Sequence, residues 1–130
     1  IYCSSGQCDV TTDLAGNDLV GIAILPAGCV PVDFILGSTD IDDSTGNRLT
    51  VGILNAAKDN LVADSDFITD SNIGLAGGIA RADKLTFLDS IEVDPDEDRI
   101  IAIKNATVAT TPKAGTLYGT LLYRASEYGA

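Results

Sequence analysis

The sequence predicts an all-β fold, an antiparallel β-sandwich of jelly-roll-like type, with about eight strands and an extended N-terminal arm. Three observations carry this reading. Short apolar runs with a period of two recur along the chain, most densely across Leu49 to Arg81 (LTVGILNAAKDNLVADSDFITDSNIGLAGGIAR). Clusters of Pro, Gly, Asn and Asp punctuate them at the spacing of an antiparallel sandwich. The apolar stock is aliphatic: 45% of the 130 residues are hydrophobic, but only three are Phe, four Tyr and none Trp. Val, Ile, Leu and Ala must therefore build the core, and a chain of this length buries one.

Residues 1–17 are polar and rich in turn formers (Gly6, Gly16, Asn17). They read as an arm, with regular structure starting at Asp18 and one β-sandwich domain filling 18–130. Asp18–Leu25 (DLVGIAIL) is a predicted strand with Val20, Ile22 and Ile24 on one face. Pro26-Ala27-Gly28 closes it, Pro fixing φ and Gly supplying the permissive position. Val30–Leu36 alternates Val30, Val32, Phe34 and Leu36 against Pro31, Asp33 and Ile35. Pro31 cannot donate to a ladder, which places the start of this strand at a sheet edge.

The polar loop Gly37–Asn47 follows, and Arg48–Leu54 is the next strand, with Leu49, Val51 and Ile53 apolar. Asn55–Leu61 has room for one helical turn, and Asp66–Thr69 extends again. The glycines of Gly74–Arg81 fit a bend or bulge. Lys84–Leu88 fits either a strand or a turn of helix. Asp94–Asp98 (DPDED) is an acidic loop, Arg99–Lys104 an Ile-rich strand and Ala106–Thr111 a β-branched one. After the turn Pro112-Lys113-Ala114-Gly115, Thr116–Arg124 closes the fold.

Candidate chemistry is sparse. The chain has no histidine, which removes the commonest general base and metal ligand. No G-x-S-x-G elbow occurs, and Gly74-x-x-Gly77-Gly78 is neither a Walker loop nor a Rossmann fingerprint. Asp40, Asp42 and Ser44 match positions one, three and five of a calcium loop. Gly46 then falls one residue late, and position twelve is Val51, which cannot chelate, so a solvated turn is the favoured reading. Asp94, Asp96, Glu97 and Asp98 read as a solvent-facing cluster. A glycosidase pair would need an aromatic-lined cleft that seven aromatics can hardly build. The expectation is no enzyme, no cofactor and no metal.

Of the three cysteines, Cys3 and Cys8 have the wrong spacing for a zinc ribbon but could form a local disulfide. Cys29 reads as a small buried or free thiol. The net charge of −11 repels phosphate backbones, so nucleic acid is not an expected partner. No apolar run approaches the ~20 residues of a membrane span. Tyr118, Tyr123 and Tyr128, with Ile1 and Tyr2 in the arm, are candidate contact residues, since tyrosine is enriched at interfaces. Cross-strand pairing within the sheet is the equal alternative for the tyrosines.

The stretch from Val20 to Arg124 carries a further pattern. A Leu25-Pro26-Ala27-Gly28 turn leads into Val30 to Leu36, followed by Leu49-Thr50-Val51-Gly52-Ile53-Leu54-Asn55 and Asp66-Phe67-Ile68-Thr69. Beyond lie GLAGGIARAD from Gly74 to Asp83, DRIIAI from Asp98 to Ile103, a Thr/Ala-rich run and a Gly115-Thr116-Leu117-Tyr118 closing strand. In this pattern, over about four fifths of its length, the chain resembles small all-β structural proteins of tailed bacteriophages, the capsid decoration and head–tail proteins. The resemblance implies a non-enzymatic virion component, above all a capsid decoration (cement) protein on the outer capsid surface that bridges capsid subunits. Its implied partners are the major capsid protein and copies of itself, in a symmetric homo-oligomer for which a trimer is favoured. A head–tail connector or tail accessory protein is the near alternative, and a glycan-binding β-sandwich module is the alternative of another class. The arm and its two cysteines depart from the pattern.

Overall fold

The computed structural model describes residues 1–84 and 93–125. In chain order its strands are β1 (Tyr2–Val10), β2 (Leu19–Leu25), β3 (Cys29–Ser38), β4 (Arg48–Ile53), β5 (Ile68–Ser71), β6 (Gly78–Arg81), β7 (Arg99–Thr107) and β8 (Gly115–Ala125). A 3-10 turn, Ile73–Leu75, precedes β6. Among the described residues they form two four-stranded antiparallel sheets, sheet A in the order β1-β8-β3-β6 and sheet B in the order β2-β7-β4-β5. The pairs β1·β8, β2·β7, β3·β6 and β4·β5 are those of one long hairpin, wrapped so that successive pairs fall in opposite sheets. That winding is a jelly roll, the class the sequence predicts.

The core lies between the sheets and is aliphatic, as composition requires. Leu49, Val51 and Ile53 of β4 face Leu36, Leu117 and Leu121 of sheet A, with Ile101 and Ile103 of β7 beside them, all buried. The period of two in β4 is thus read directly as one buried face. Phe34 and Phe67 are both fully buried, with ring centroids 5.7 Å apart.

Two bulges move side chains away from their expected faces. The register of β2 shifts between Gly21 and Ala23, so Ile22 is an extra residue and the alternation changes phase after it. Ile22, Ala23 and Leu25 are buried, while Ile24, expected beside Ile22, is 50% exposed. The register of β3 shifts between Pro31 and Asp33, which turns Pro31 inward and leaves Val32 half-buried. β6 pairs only with Ile35 to Ser38, so among the described residues the start of β3 has β8 alone beside it, at the sheet edge that Pro31 predicts.

Regular structure does not wait for Asp18. Tyr2–Val10 pairs residue for residue with β8, from Tyr2 opposite Tyr123 to Val10 opposite Gly115. The polar sequence YCSSGQCDV concealed this strand because an edge strand with a solvated face needs few apolar residues. On its inner side Gly6 lies against the carbonyl of Ile22, where a Cβ would have no room.

Other expectations also change. Residues 55–61 form turns and not a helical turn, the Asn55 side-chain oxygen accepting the N–H groups of Asp59 (3.1 Å) and Asn60 (3.4 Å). β5 starts at Ile68, two residues later than expected, and Ala106 and Thr107 extend β7 without founding a separate strand. Gly28 takes φ +76° in the turn after β2, with Cys29 N–H donating to Pro26 O at 3.2 Å. Lys84–Leu88 lies, beyond its first residue, outside the described residues.

Candidate functional site

The sandwich has two outer faces, and the described residues cover only one. On sheet B, Gly52 pairs with Ala102 and Thr50 with Lys104, all facing outward. Thr50, Gly52 and Ala102 are nevertheless buried, because the connection from β4 to β5 folds back as a roof. Ser65 pins it: its Oγ accepts the Ile53 N–H at 3.0 Å and donates to Val62 O at 2.7 Å. Leu61 and Asp66 lie over Gly52, and Lys104 Nζ donates to Asn60 Oδ1 at 3.1 Å.

No described residue roofs sheet A in this way. Its register lays out three outward rows: Gln7–Tyr118–Gly37–Ile79, Ser5–Thr120–Ile35–Arg81, and Cys3–Leu122–Asp33. Ile79 is 73% exposed and Tyr118 43%. The Tyr118 side chain lies across Gly37, where a Cβ would stand 3.3 Å from Tyr118 Cβ and 3.6 Å from its Cδ2. Charge is sparse and balanced: Asp9 marks one end of the face and Arg124 the other, while Asp33 and Arg81 pair with each other. On a chain of net charge −11, this is a nearly neutral surface with exposed apolar groups.

The tyrosine candidates divide between the two sides of sheet A. Tyr118 and Tyr123 are five residues apart on one strand and so face opposite ways. Tyr123 points inward and stacks on Tyr2, its cross-strand partner, with centroids 5.8 Å apart and planes at 29°. Ile1, 83% exposed, directly precedes Tyr2 of this pair. Tyr128 lies outside the described residues.

The same parity separates Cys3, facing outward opposite Leu122, from Cys8, facing inward opposite Leu117. Five strand residues hold them roughly 17 Å apart, well beyond disulfide reach. All three cysteines are free.

Asp40, Asp42 and Ser44 do not converge on a common point. Asp42 is fully buried, and its carboxylate gathers amide donors. Oδ1 accepts from Ser44 N–H (3.0 Å) and Thr111 N–H (2.9 Å); Oδ2 accepts from the N–H groups of Gly46 (3.1 Å), Asn47 (2.9 Å) and Thr110 (3.2 Å). Burial by itself would raise this carboxyl, but the N–H groups of Thr111, Asn47, Ser44 and Thr110 together outweigh it and lower the pKa to about 2. Ser44 thus offers Asp42 a donor and not a fellow ligand. Asp40 and Asp43 both pair with Lys113 Nζ, at 3.0 Å each. Asp42 fastens the loop after β3 to the loop after β7, a role that the sequence reading missed.

Behind this anchor, Asn47 Nδ2 donates to Asn105 Oδ1 at 2.7 Å, and Asn105 Nδ2 to Ala15 O at 2.9 Å, so two loops meet strand β7 in one polar network. Across the molecule, a 390 Å³ cleft is lined by Lys58, Asp94, Glu97, Asp98 and Arg99 among others, with no aromatic side chain among the described residues. Its acids brace the backbone: Asp94 accepts from Asp96 and Glu97 N–H, which hold its carboxyl below the usual range, and Asp98 accepts from Ala27 N–H at 2.8 Å.

No protein-family model matches the chain. No curated protein matches it either. Solved structures do. The chain is similar to one in the capsid of Ralstonia phage GP4, with a TM-score of 0.76 and 25% identity over 94% of this chain and 83% of that one. It is also similar to a chain of the cyanophage Pam1 capsid asymmetric unit (TM-score 0.70, 19% identity, 94% and 82% covered). A third similar chain comes from the acidic stable capsid structure of Helicobacter pylori bacteriophage KHP30 (TM-score 0.59, 12% identity, 97% and 90% covered). The last two likenesses show the fold alone. Together with the open face of sheet A, the Ralstonia phage likeness supports a non-enzymatic structural protein of a phage virion.

Proposed function

We propose that this protein is a capsid decoration (cement) protein that sits on the outer surface of the shell and stabilises it by bridging capsid subunits. Its partners are the major capsid protein and further copies of itself. The observation that carries this reading is the open, nearly neutral face of sheet A on an otherwise strongly acidic sandwich. Strands hold the side chains of such a face in fixed positions, so little ordering is lost on contact. The acidity supports a place away from packaged DNA, on the outside of the shell.

The test is to add the purified protein to shells that lack it and follow co-sedimentation together with the temperature at which the shells break. Saturable binding at a ratio set by capsid symmetry, with a raised disruption temperature, is expected. Binding to isolated tails or connectors but not to shells would transfer the protein to the head–tail class. Binding only to a glycan array would overturn the structural reading altogether.

A further inference from the structure

We infer that β1 is an exchangeable strand: where copies are crowded, it leaves its own sandwich and pairs with β8 of a second copy of this chain. This concerns contact between copies, and it holds whether or not the protein sits on a shell.

β1 is built to be released. It lies at one edge of sheet A, so among the described residues its ladder to β8 is the one ladder to break. Of its nine residues Val10 alone is buried, and its other inward positions, Tyr2, Ser4, Gly6 and Cys8, cover little apolar area. Detachment therefore costs mainly ladder hydrogen bonds, and a second copy's β1 restores them one for one. Thr11–Leu14, which follows, is loosely held. Leu14 N–H reaches Thr11 O at 3.3 Å and Asp13 N–H reaches Thr11 Oγ1 at 3.2 Å, both at the long end of the hydrogen-bond range. Beyond it Asn105 pins the chain. Its backbone O accepts Asn17 N–H at 2.7 Å, its Nδ2 donates to Ala15 O at 2.9 Å and its N–H to Asp18 O at 2.8 Å. Thr11–Leu14 is thus a hinge between a strand that can peel and a loop that stays. Stretched, Val10 to Ala15 spans roughly 17 Å, so two copies exchange with their hinges side by side.

The bed that β1 leaves specifies what fills it. Leu121 and Leu117 of β8, opposite Ser4 and Cys8, are fully buried and need a cover. Gly6 lies against the carbonyl of Ile22, so a strand with a side chain at that place does not seat. On one side of it Ser4 Oγ accepts Ile24 N–H at 3.0 Å. On the other, Thr116 Oγ1 donates to Asp9 Oδ1 at 2.9 Å. A hydroxyl, a glycine and a carboxylate at this spacing are the sequence of β1 itself, which makes a second copy's β1 the strand that fits. Two copies that exchange reciprocally fill both beds and leave no strand over. A strand on a short tether sees its own bed at an effective concentration of about 1 mM. Dilute protein is therefore closed, and exchange takes over where copies are crowded to that level.

The test uses two full-length variants, both with Cys3→Ser, one carrying Ser5→Cys and the other Thr120→Cys. Ser5 and Thr120 are opposite each other. Thr116 turns its backbone toward β3, its O accepting Thr39 N–H at 3.0 Å and its N–H donating to Thr39 Oγ1 at 2.9 Å. By alternation along β8, Thr120 does the same, so Ser5–Thr120 is the non-hydrogen-bonded and closer kind of cross-strand pair. Neither variant can bridge these positions within one chain. The two are mixed in urea, refolded together at about 1 mM or about 10 μM and oxidised, and the bridges are read by mass spectrometry of peptides. Circular dichroism confirms the fold of each variant. At the higher concentration the mixed dimer joining positions 5 and 120 should exceed either like-with-like dimer by at least about ten-fold, and at the lower it should fall about ten-fold. A single chain carrying Cys3→Ser with both Ser5→Cys and Thr120→Cys, refolded dilute, should close the same bridge internally. Like-with-like dimers as abundant as mixed ones would mean contact between faces without exchange. That result, an absence of mixed dimers at about 1 mM, or failure of the internal bridge would overturn the inference.

Discussion

The two sheets have four strands each and bury the same kind of aliphatic side chain inward, yet their outer faces are treated in opposite ways. Sheet B turns Gly52 and Ala102 outward and then covers them with its own β4–β5 connection, pinned by Ser65 and closed by Phe67, whose ring enters the core against Phe34. Sheet A turns Tyr118, Ile79, Ile35 and Leu122 outward with no described residue roofing them, and Tyr118 and Ile79 are exposed. Under the proposed function, the roofed face serves folding and the other serves contact.

The comparison can be broken first at the roof. Phe67→Ala removes a fully buried ring at the point where the connection re-enters the sandwich, and should cost about 3–5 kcal/mol in urea unfolding followed by circular dichroism. A loss under about 1 kcal/mol would show that the roof is not anchored there.

Asp42 tests whether buried polar groups hold the loops. Its carboxyl is lowered to about 2 from an ordinary value near 3.8. Its contribution is thus complete above that ordinary value and lost as pH falls through about 2. Thermal melts from pH 7 to pH 2 should show Asp42→Asn destabilised at neutral pH and less sensitive to acid below pH 4 than the unaltered protein. Identical acid slopes would remove Asp42 from that role.

A smaller effect is expected beneath the roof. Val suits a strand, but at Gly52 it would press on Ser65 Oγ and Leu61 Cδ1, 3.1 and 3.2 Å from the position of a Cβ. Gly52→Val should therefore destabilise by about 1–3 kcal/mol. The smallest stability change belongs to the open face. Ile79→Ser should alter unfolding by no more than about 0.5 kcal/mol, while weakening co-sedimentation with shells. A large stability loss at Ile79 would make that face structural and erase the contrast.

Legibility in the sequence followed the same physics. β4 and β7 were readable because burial forces apolar residues into their alternation, as at Leu49, Val51 and Ile53. β1 was not, because an edge strand with a solvated face and a glycine against Ile22 leaves almost no apolar signal. The bulges at Ile22 and Val32 reversed the faces of Ile24 and Pro31, and a one-residue change of phase has no local mark in composition. The parity that separates Tyr118 from Tyr123 was present in the numbering, since odd spacing on one strand always means opposite faces. Asp42 was singled out for the wrong chemistry: an Asp-x-Asp turn serves a cation or a nest of amides equally well in sequence. Only the fold shows Thr110 and Thr111 arriving from 68 and 69 residues away.

Hydroxyl-radical footprinting of Tyr118, in dilute protein and in the assembled state, tests the claim that sheet A carries the contact surface most directly. Tyr118 should become several-fold less reactive on assembly while residues 55–61 of the sheet B roof keep their reactivity. Unchanged Tyr118 with protection of the roof would contradict the account.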